Sequence, residues 1–161
     1  MMKKNKTVYK YMTWDEQIFD NIKEGFEYDI KAFNEVCDNL LFFHYGMFDS
    51  FDNIPIADYD SMIDNMRIYH IDTIPLLIFH MVGAPIIYCH TEKTAQVISG
   101  IINNMFDDTY KITGISQGFM FFSEKAMDFL PLEKLPSNTI AAPAFNKLLE
   151  TMNHFIKENV A

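Results

Sequence analysis

Two residues of this 161-residue chain have the chemistry of a nucleophile and its base, Cys89 and His80. They lie on two short apolar segments, residues 76–82 and 86–89, which a Gly-Ala-Pro turn separates. If the segments pair as antiparallel strands across a four-residue turn, His80 and Cys89 share one face of the hairpin. A thiol beside an imidazole can serve as nucleophile and general base. No residue in the sequence is marked to orient the imidazole or to form an oxyanion hole. We therefore predict no catalytic residue and keep His80 and Cys89 as the pair to check.

Metal and phosphate sites are tested by the spacing of their ligands. Residues 90–92 read His-Thr-Glu, like the His-x-Glu of zinc deaminases, but that chemistry also needs a Pro-Cys-x-x-Cys pair, and this chain has only Cys37 and Cys89. The aspartates between Asp49 and Asp64 offer oxygen ligands to a hard cation, yet their spacing departs from that of a calcium-binding loop and the glycine at its turn is missing. No glycine-rich phosphate-binding motif occurs. We predict no metal site and no cofactor.

The acidic residues are concentrated in one half of the chain. The net charge is −9, and residues 13–72 alone hold 14 of the 22 acidic residues against three basic ones. Residues 1–12 hold four lysines and no acid. This balance argues against nucleic-acid binding, which needs a basic footprint, and it permits a partner with a basic surface.

We assign the predicted contact with a protein partner to carboxylates of this acidic half. The alternative is that these residues only keep the protein soluble, as acidic surfaces commonly do. The residues assigned to the contact are Asp49, Asp52, Asp58, Asp60, Glu35 and Asp38.

Several helices are indicated by caps and by apolar spacing. Residues 13–16 match a capping box that starts a first helix. Apolar residues at intervals of three and four predict a second helix over residues 29–44. Thr91 is the predicted N-cap of a third helix. A last helix is expected over residues 144–159.

Strands are expected where short apolar runs lie between turn residues. The predicted hairpin of residues 74–90, buried on both faces, is joined by strands at residues 109–116 and 119–122. Shorter helices are expected at residues 57–69 and 124–130. The predicted fold is α+β, a small and mostly antiparallel sheet from residues 74–90 and 109–122 packed by about five helices.

The domain organisation and the compartment follow from length and composition. A chain of this length suggests one domain, here residues 13–161, after a flexible or edge-strand segment of residues 1–12. The first residues lack the apolar stretch of a secretory signal, and the longest apolar run is too short for an ordinary transmembrane helix. Two cysteines do not make a disulfide framework and fit a reducing compartment. We expect a cytoplasmic protein with no membrane contact.

These observations favour a small acidic, non-catalytic interaction protein, of inhibitor or immunity type, that covers a basic protein target. One alternative is a small-molecule-binding protein or enzyme that uses the His80 and Cys89 face of the sheet. Another is an acidic, dimeric, chaperone-like adaptor.

Overall fold

The computed structural model describes residues 10–44, 63–83, 85–105, 112, 114–134 and 142–160. These residues form an α+β fold with seven strands and four α-helices. The strands are β1 (Tyr11–Met12), β2 (Ile18–Phe19), β3 (Leu40–His44), β4 (Arg67–His70), β5 (Ile86–Cys89), β6 (Gly118–Ser123) and β7 (Asp128–Pro131). The helices are α1 (Ile22–Val36), α2 (Ile74–Met81), α3 (Glu92–Met105) and α4 (Ala142–Asn159).

Five of the strands form one sheet in the order β4-β3-β5-β6-β7, and β1 and β2 form a separate two-stranded hairpin. Every pairing in the larger sheet is antiparallel, with Leu41 of β3 opposite His70 of β4 and Tyr88 of β5. The predicted α+β class and antiparallel sheet are therefore confirmed, with four helices among the described residues where about five were expected.

Helices cover both faces of this sheet. Side chains alternate along β3, so Leu40 and Phe42 pack with α1, α2 and α3, while Leu41 and Phe43 pack with α4. All four of these side chains are fully buried. Burial of apolar area contributes roughly 25 cal/mol per Å², so a strand that is buried on both faces contributes strongly to the stability of the fold.

The predicted helix over residues 29–44 is wrong beyond Val36. After α1 ends there, a short 3-10 turn leads into β3. The apolar positions at Phe33, Val36 and Leu40 continue at helical spacing into the strand. A strand buried on both faces shows no alternation of polar and apolar residues, so its sequence resembles a buried helix.

The predicted strand over residues 76–82 is also wrong, because this segment belongs to helix α2. The side chain of Thr73 caps the helix by accepting a hydrogen bond from the N–H of Leu76 at 3.3 Å. Pro75 lies in the first turn, where its missing N–H costs no helical hydrogen bond. The cap and the proline were the sequence signals of a helix start, and the apolar character of the segment outweighed them in the prediction.

Three further corrections concern residues 13–16, 124–130 and 57–69. Residues 13–16 form the turn between β1 and β2, and α1 begins later, behind the N-cap Asn21. Residues 124–130 form a turn and part of β7 where a short helix was expected. The predicted helix of residues 57–69 ends in β4, and its first part lies outside the described residues.

Four predicted elements are confirmed: β5, α3, β6 and α4. The Thr91 hydroxyl accepts a hydrogen bond from the N–H of Thr94 at 3.1 Å, as expected of an N-cap. The predicted strand partner of residues 119–122 was residues 109–116, but β6 pairs with β5 and β7. Residues 114–116 are not in a strand, and most of the remaining predicted strand lies outside the described residues.

The segment with β1 and β2 is anchored to the helices by a buried carboxylate. Asp29 of α1 accepts hydrogen bonds from the Tyr11 hydroxyl at 2.5 Å and from the Trp14 N–H at 2.9 Å. Burial raises the pKa of the Asp29 carboxyl. On the other side of this segment, a Cβ at Gly100 of α3 would overlap the Trp14 backbone, so glycine permits the close approach.

In the part of the chain that the structure describes, no helix has both the length and the apolar character to cross a membrane.

Candidate functional site

A cleft opens where α2 packs against the edge of the sheet. His44 ends β3 and lies opposite Arg67 of β4, and Tyr69 lies two residues further along the same face. The C-terminal turn of α2 forms the other wall. The cleft has a volume of about 570 Å³ and is lined by His44, Asn65, Arg67, Tyr69, Phe79, His80, Val82 and Gly83.

Two imidazoles meet inside this cleft. Nδ1 of His80 lies 3.3 Å from Nε2 of His44, and the ring centroids are 5.2 Å apart. The Tyr69 ring packs against both, with its centroid 4.4 Å from that of His80 and 5.2 Å from that of His44. We call His44 and His80 the histidine pair. The pair and Tyr69 are brought together by three elements, β3, α2 and β4, that are separated in the sequence.

Gly83 lies against the other side of the His44 ring. A Cβ at this position would lie 2.9 Å from Cε1 and 3.0 Å from Nδ1 of His44, closer than real Cβ contacts allow. Glycine therefore lets the turn after α2 approach the imidazole. The ring of His44 is confined between Gly83, Tyr69 and His80.

The environment of His44 favours its neutral form. Burial lowers the pKa of this imidazole below its usual value of 6.5, and the nearby charge of His80 lowers it further. A neutral imidazole has one nitrogen with a free lone pair, which can accept a proton, accept a hydrogen bond or bind a metal ion. His44 can therefore act as a base, a hydrogen-bond acceptor or a metal ligand at neutral pH.

The lowered pKa of His44 predicts a pH dependence of stability. The unfolded chain binds a proton at this residue at a higher pH than the folded chain does, so the free energy of unfolding falls as the pH drops from 6.5 towards the folded pKa. Above 6.5 this contribution is constant. Urea unfolding at several pH values will measure it, and His44→Gln should reduce the loss of stability on acidification. An unchanged pH profile in the variant would contradict the assignment.

Cys89 lies apart from the cleft, so the predicted sharing of a strand face by His80 and Cys89 is wrong. His80 is on α2, whereas Cys89 is fully buried in the sheet between Leu40 and Gly118. Burial raises the pKa of its thiol to about 12, which suppresses the reactive thiolate. Cys37 and Cys89 are both free thiols.

Two of the six carboxylates assigned to a partner are described, and both are exposed. Glu35 lies near the end of α1, where it lines a hollow of about 260 Å³ together with Lys31 and Lys93. Asp38 follows α1 and is exposed as well.

Asp38 and Asp72 both act on the Cys37 thiol. Burial raises the pKa of this thiol, and the negative charges of Asp38 and Asp72 raise it further. Asp72 is exposed and lies just before α2. Four further residues assigned to the partner, Asp49, Asp52, Asp58 and Asp60, lie outside the described residues.

One face of α2 is apolar and exposed. Leu76, Phe79 and Val82 recur every three residues, so they lie on one side of the helix and its C-terminal turn. Their exposed fractions are 39%, 70% and 85%. We call these three residues the α2 face. The strand prediction placed Phe79 in the interior and so concealed this surface.

Within the described ranges, no group of three or more histidine, cysteine, aspartate or glutamate side chains is arranged to hold a metal ion. The sequence also did not connect His44, Arg67 and Tyr69 with His80, because only the packing of α2 on the sheet edge brings them together. Comparisons with family models, with curated proteins and with solved structures found no match to this chain.

Proposed function

We propose that this chain is a small acidic, non-catalytic interaction protein, of inhibitor or immunity type, that covers a basic protein target in the cytoplasm. The observation that supports this most is the α2 face. Three large apolar side chains on one side of a short helix are costly to leave in water, at roughly 25 cal/mol per Å² of apolar surface. A contiguous apolar surface of this kind is typical of a protein contact site.

Two exposed acidic residues favour a basic partner. Asp72 lies just before α2, and Asp38 acts with it on the Cys37 thiol. Arg67, which lines the cleft together with Phe79 and Val82, carries the opposite charge. A partner that carries apolar side chains with lysine or arginine at their border would match both features. Asp49, Asp52, Asp58 and Asp60 were also assigned to the contact with the partner. Their participation stays a prediction.

Capture from an extract of the source cell tests the role of the α2 face. The bait is the full chain, compared with the triple variant Leu76→Ser, Phe79→Ser and Val82→Ser. Met127→Ser is a matched control, because Met127 is also an exposed apolar residue but lies in the turn between β6 and β7. We expect a basic protein to be retained by the wild type and the control, and lost by the triple variant.

Two results, one from capture and one from sedimentation, would contradict the proposal. If the triple variant retains the same proteins as the wild type, the α2 face is not the contact. If the wild type is a dimer by sedimentation and the triple variant is a monomer, the face is covered by a second copy, as in the adaptor alternative. Circular dichroism of each bait checks that the fold is kept.

A second candidate, a small-molecule-binding protein or an enzyme, is supported by the cleft itself. Polar groups that converge in a concave site beside a residue with a shifted pKa are typical of ligand sites. His44, Tyr69 and His80 satisfy this description, while Cys89 has no part in it. The alternative drawn from the sequence placed such a site at His80 and Cys89. Only His80 belongs to the cleft.

A further inference from the structure

The two facing nitrogens of the histidine pair have the separation of two ligands on one metal ion. Nε2 of His44 and Nδ1 of His80 are 3.3 Å apart. Imidazole nitrogens bind zinc at about 2.0–2.1 Å, so two of them on one tetrahedral ion lie about 3.3–3.4 Å apart. We propose that His44 and His80 together bind a divalent transition-metal ion, Cu²⁺ or Zn²⁺, with water in the remaining coordination positions. This inference does not depend on the acidic partner.

The surroundings of the pair hold both rings in place for such an ion. The Tyr69 ring packs on both imidazoles, and Gly83 closes the Nδ1 and Cε1 side of His44. A ligand that is already confined loses less conformational entropy when it binds. The geometry leaves Nε2 of His44 as the nitrogen that faces His80.

Metal binding and a hydrogen bond between the two rings exclude each other. Metal ions bind an imidazole through the lone pair of a nitrogen that carries no proton. A hydrogen bond between the two rings is the competing arrangement. It needs no ion, but at 3.3 Å it is longer than the usual range for N–H donors of about 2.7–3.2 Å.

The other groups that face the cleft set the strength and the selectivity of the site. Arg67 carries a positive charge that opposes a cation, and Asn65 is a neutral polar neighbour. With two protein ligands and one opposing charge, we expect moderate affinity. The order should be Cu²⁺ above Zn²⁺, following the general series for nitrogen ligands, and Mg²⁺, which prefers oxygen ligands, should not bind.

Calorimetric titration of the full chain without an affinity tag tests the proposal. CuCl₂, ZnCl₂ and MgCl₂ are titrated into the wild type, His44→Gln, His80→Gln and the control His154→Gln, which removes an exposed imidazole on α4. Loss of an outer partner of a metal ligand costs about 10–100-fold in affinity, so loss of either ligand should cost at least about tenfold. The control should retain the wild-type affinity.

Gly83→Ala supplies a test that keeps both imidazoles. Its Cβ would displace the His44 ring, so metal affinity should fall although neither ligand is removed. The NMR signals of the histidine nitrogens give a direct readout, because Zn²⁺ should shift Nε2 of His44 and Nδ1 of His80.

Three outcomes would overturn the inference: no binding of Cu²⁺ or Zn²⁺ to the wild type, equal binding by all variants, or shifts at other histidines only. In each case the pair is a hydrogen-bonded contact and nothing more. If a glutamine variant does not fold, the NMR shifts of the wild type decide. Failure here leaves the capture experiment on the α2 face unaffected.

Discussion

Replacing Phe42 by alanine is expected to lower the free energy of unfolding by about 3–5 kcal/mol. Phe42 lies on β3, the second strand of the five-stranded sheet, and is fully buried, where it packs with α1, α2 and α3. The substitution removes most of a large side chain and leaves a cavity that rigid neighbours on a five-stranded sheet fill only in part. Urea unfolding of the wild type and the variant gives the difference.

Phe79→Ala is the matched control for this experiment. Its phenylalanine is on the exposed α2 face, so the same substitution should change stability by no more than about 0.5 kcal/mol. A large loss at Phe79 together with a small one at Phe42 would mean that residues 76–82 form the buried strand and that α2 does not exist.

The exposure of Phe79, which the predicted hairpin placed in the interior, shows which elements the sequence predicts and which it does not. The sequence predicted β5, α3, β6 and α4, because each has a cap, a turn or a clear period beside it. It failed for β3 and α2, because both are short and mostly apolar and neither has a decisive period. Burial on two faces removes the polar positions that would identify a strand.

The candidate site was less predictable than the fold. His44 and His80 are 36 residues apart, and their contact depends on the packing of α2 beside β4. His80 was singled out for its chemistry, but with Cys89 as its partner, because residues 76–82 were assigned to a strand. Once α2 is a helix, the partner of His80 becomes another imidazole. The packing of α2 on the sheet edge determines which residues meet in the cleft, and no local sequence pattern predicts this packing.

Reversal of two charges beside α2 is expected to slow association with a basic partner by about tenfold or more, since electrostatic steering changes association rates by about 10–10³-fold. The variant is Asp38→Lys with Asp72→Lys. Both residues are exposed, Asp72 lies just before α2, and the charges of both act on the Cys37 thiol. Because neither side chain is buried, folding stability should change little.

A control with the same change in net charge separates local from general effects. Glu133→Lys with Glu150→Lys alters two exposed residues that lie beyond β7 and on α4. Helix α4 packs on the opposite face of the sheet from α1, α2 and α3. This control should slow association less than the Asp38 and Asp72 variant does.

The most direct test of the proposed function is the association rate of the captured partner, measured at low and at high salt for the wild type and for both charge variants. Exposed charges are screened beyond about 8–10 Å at ordinary ionic strength, so the wild-type rate should fall as salt rises. The Asp38 and Asp72 variant should be slow at low salt and respond weakly to added salt. A rate that is indifferent to salt and equal in all three proteins would contradict the proposal and would leave the acidic residues with a solubilising role alone.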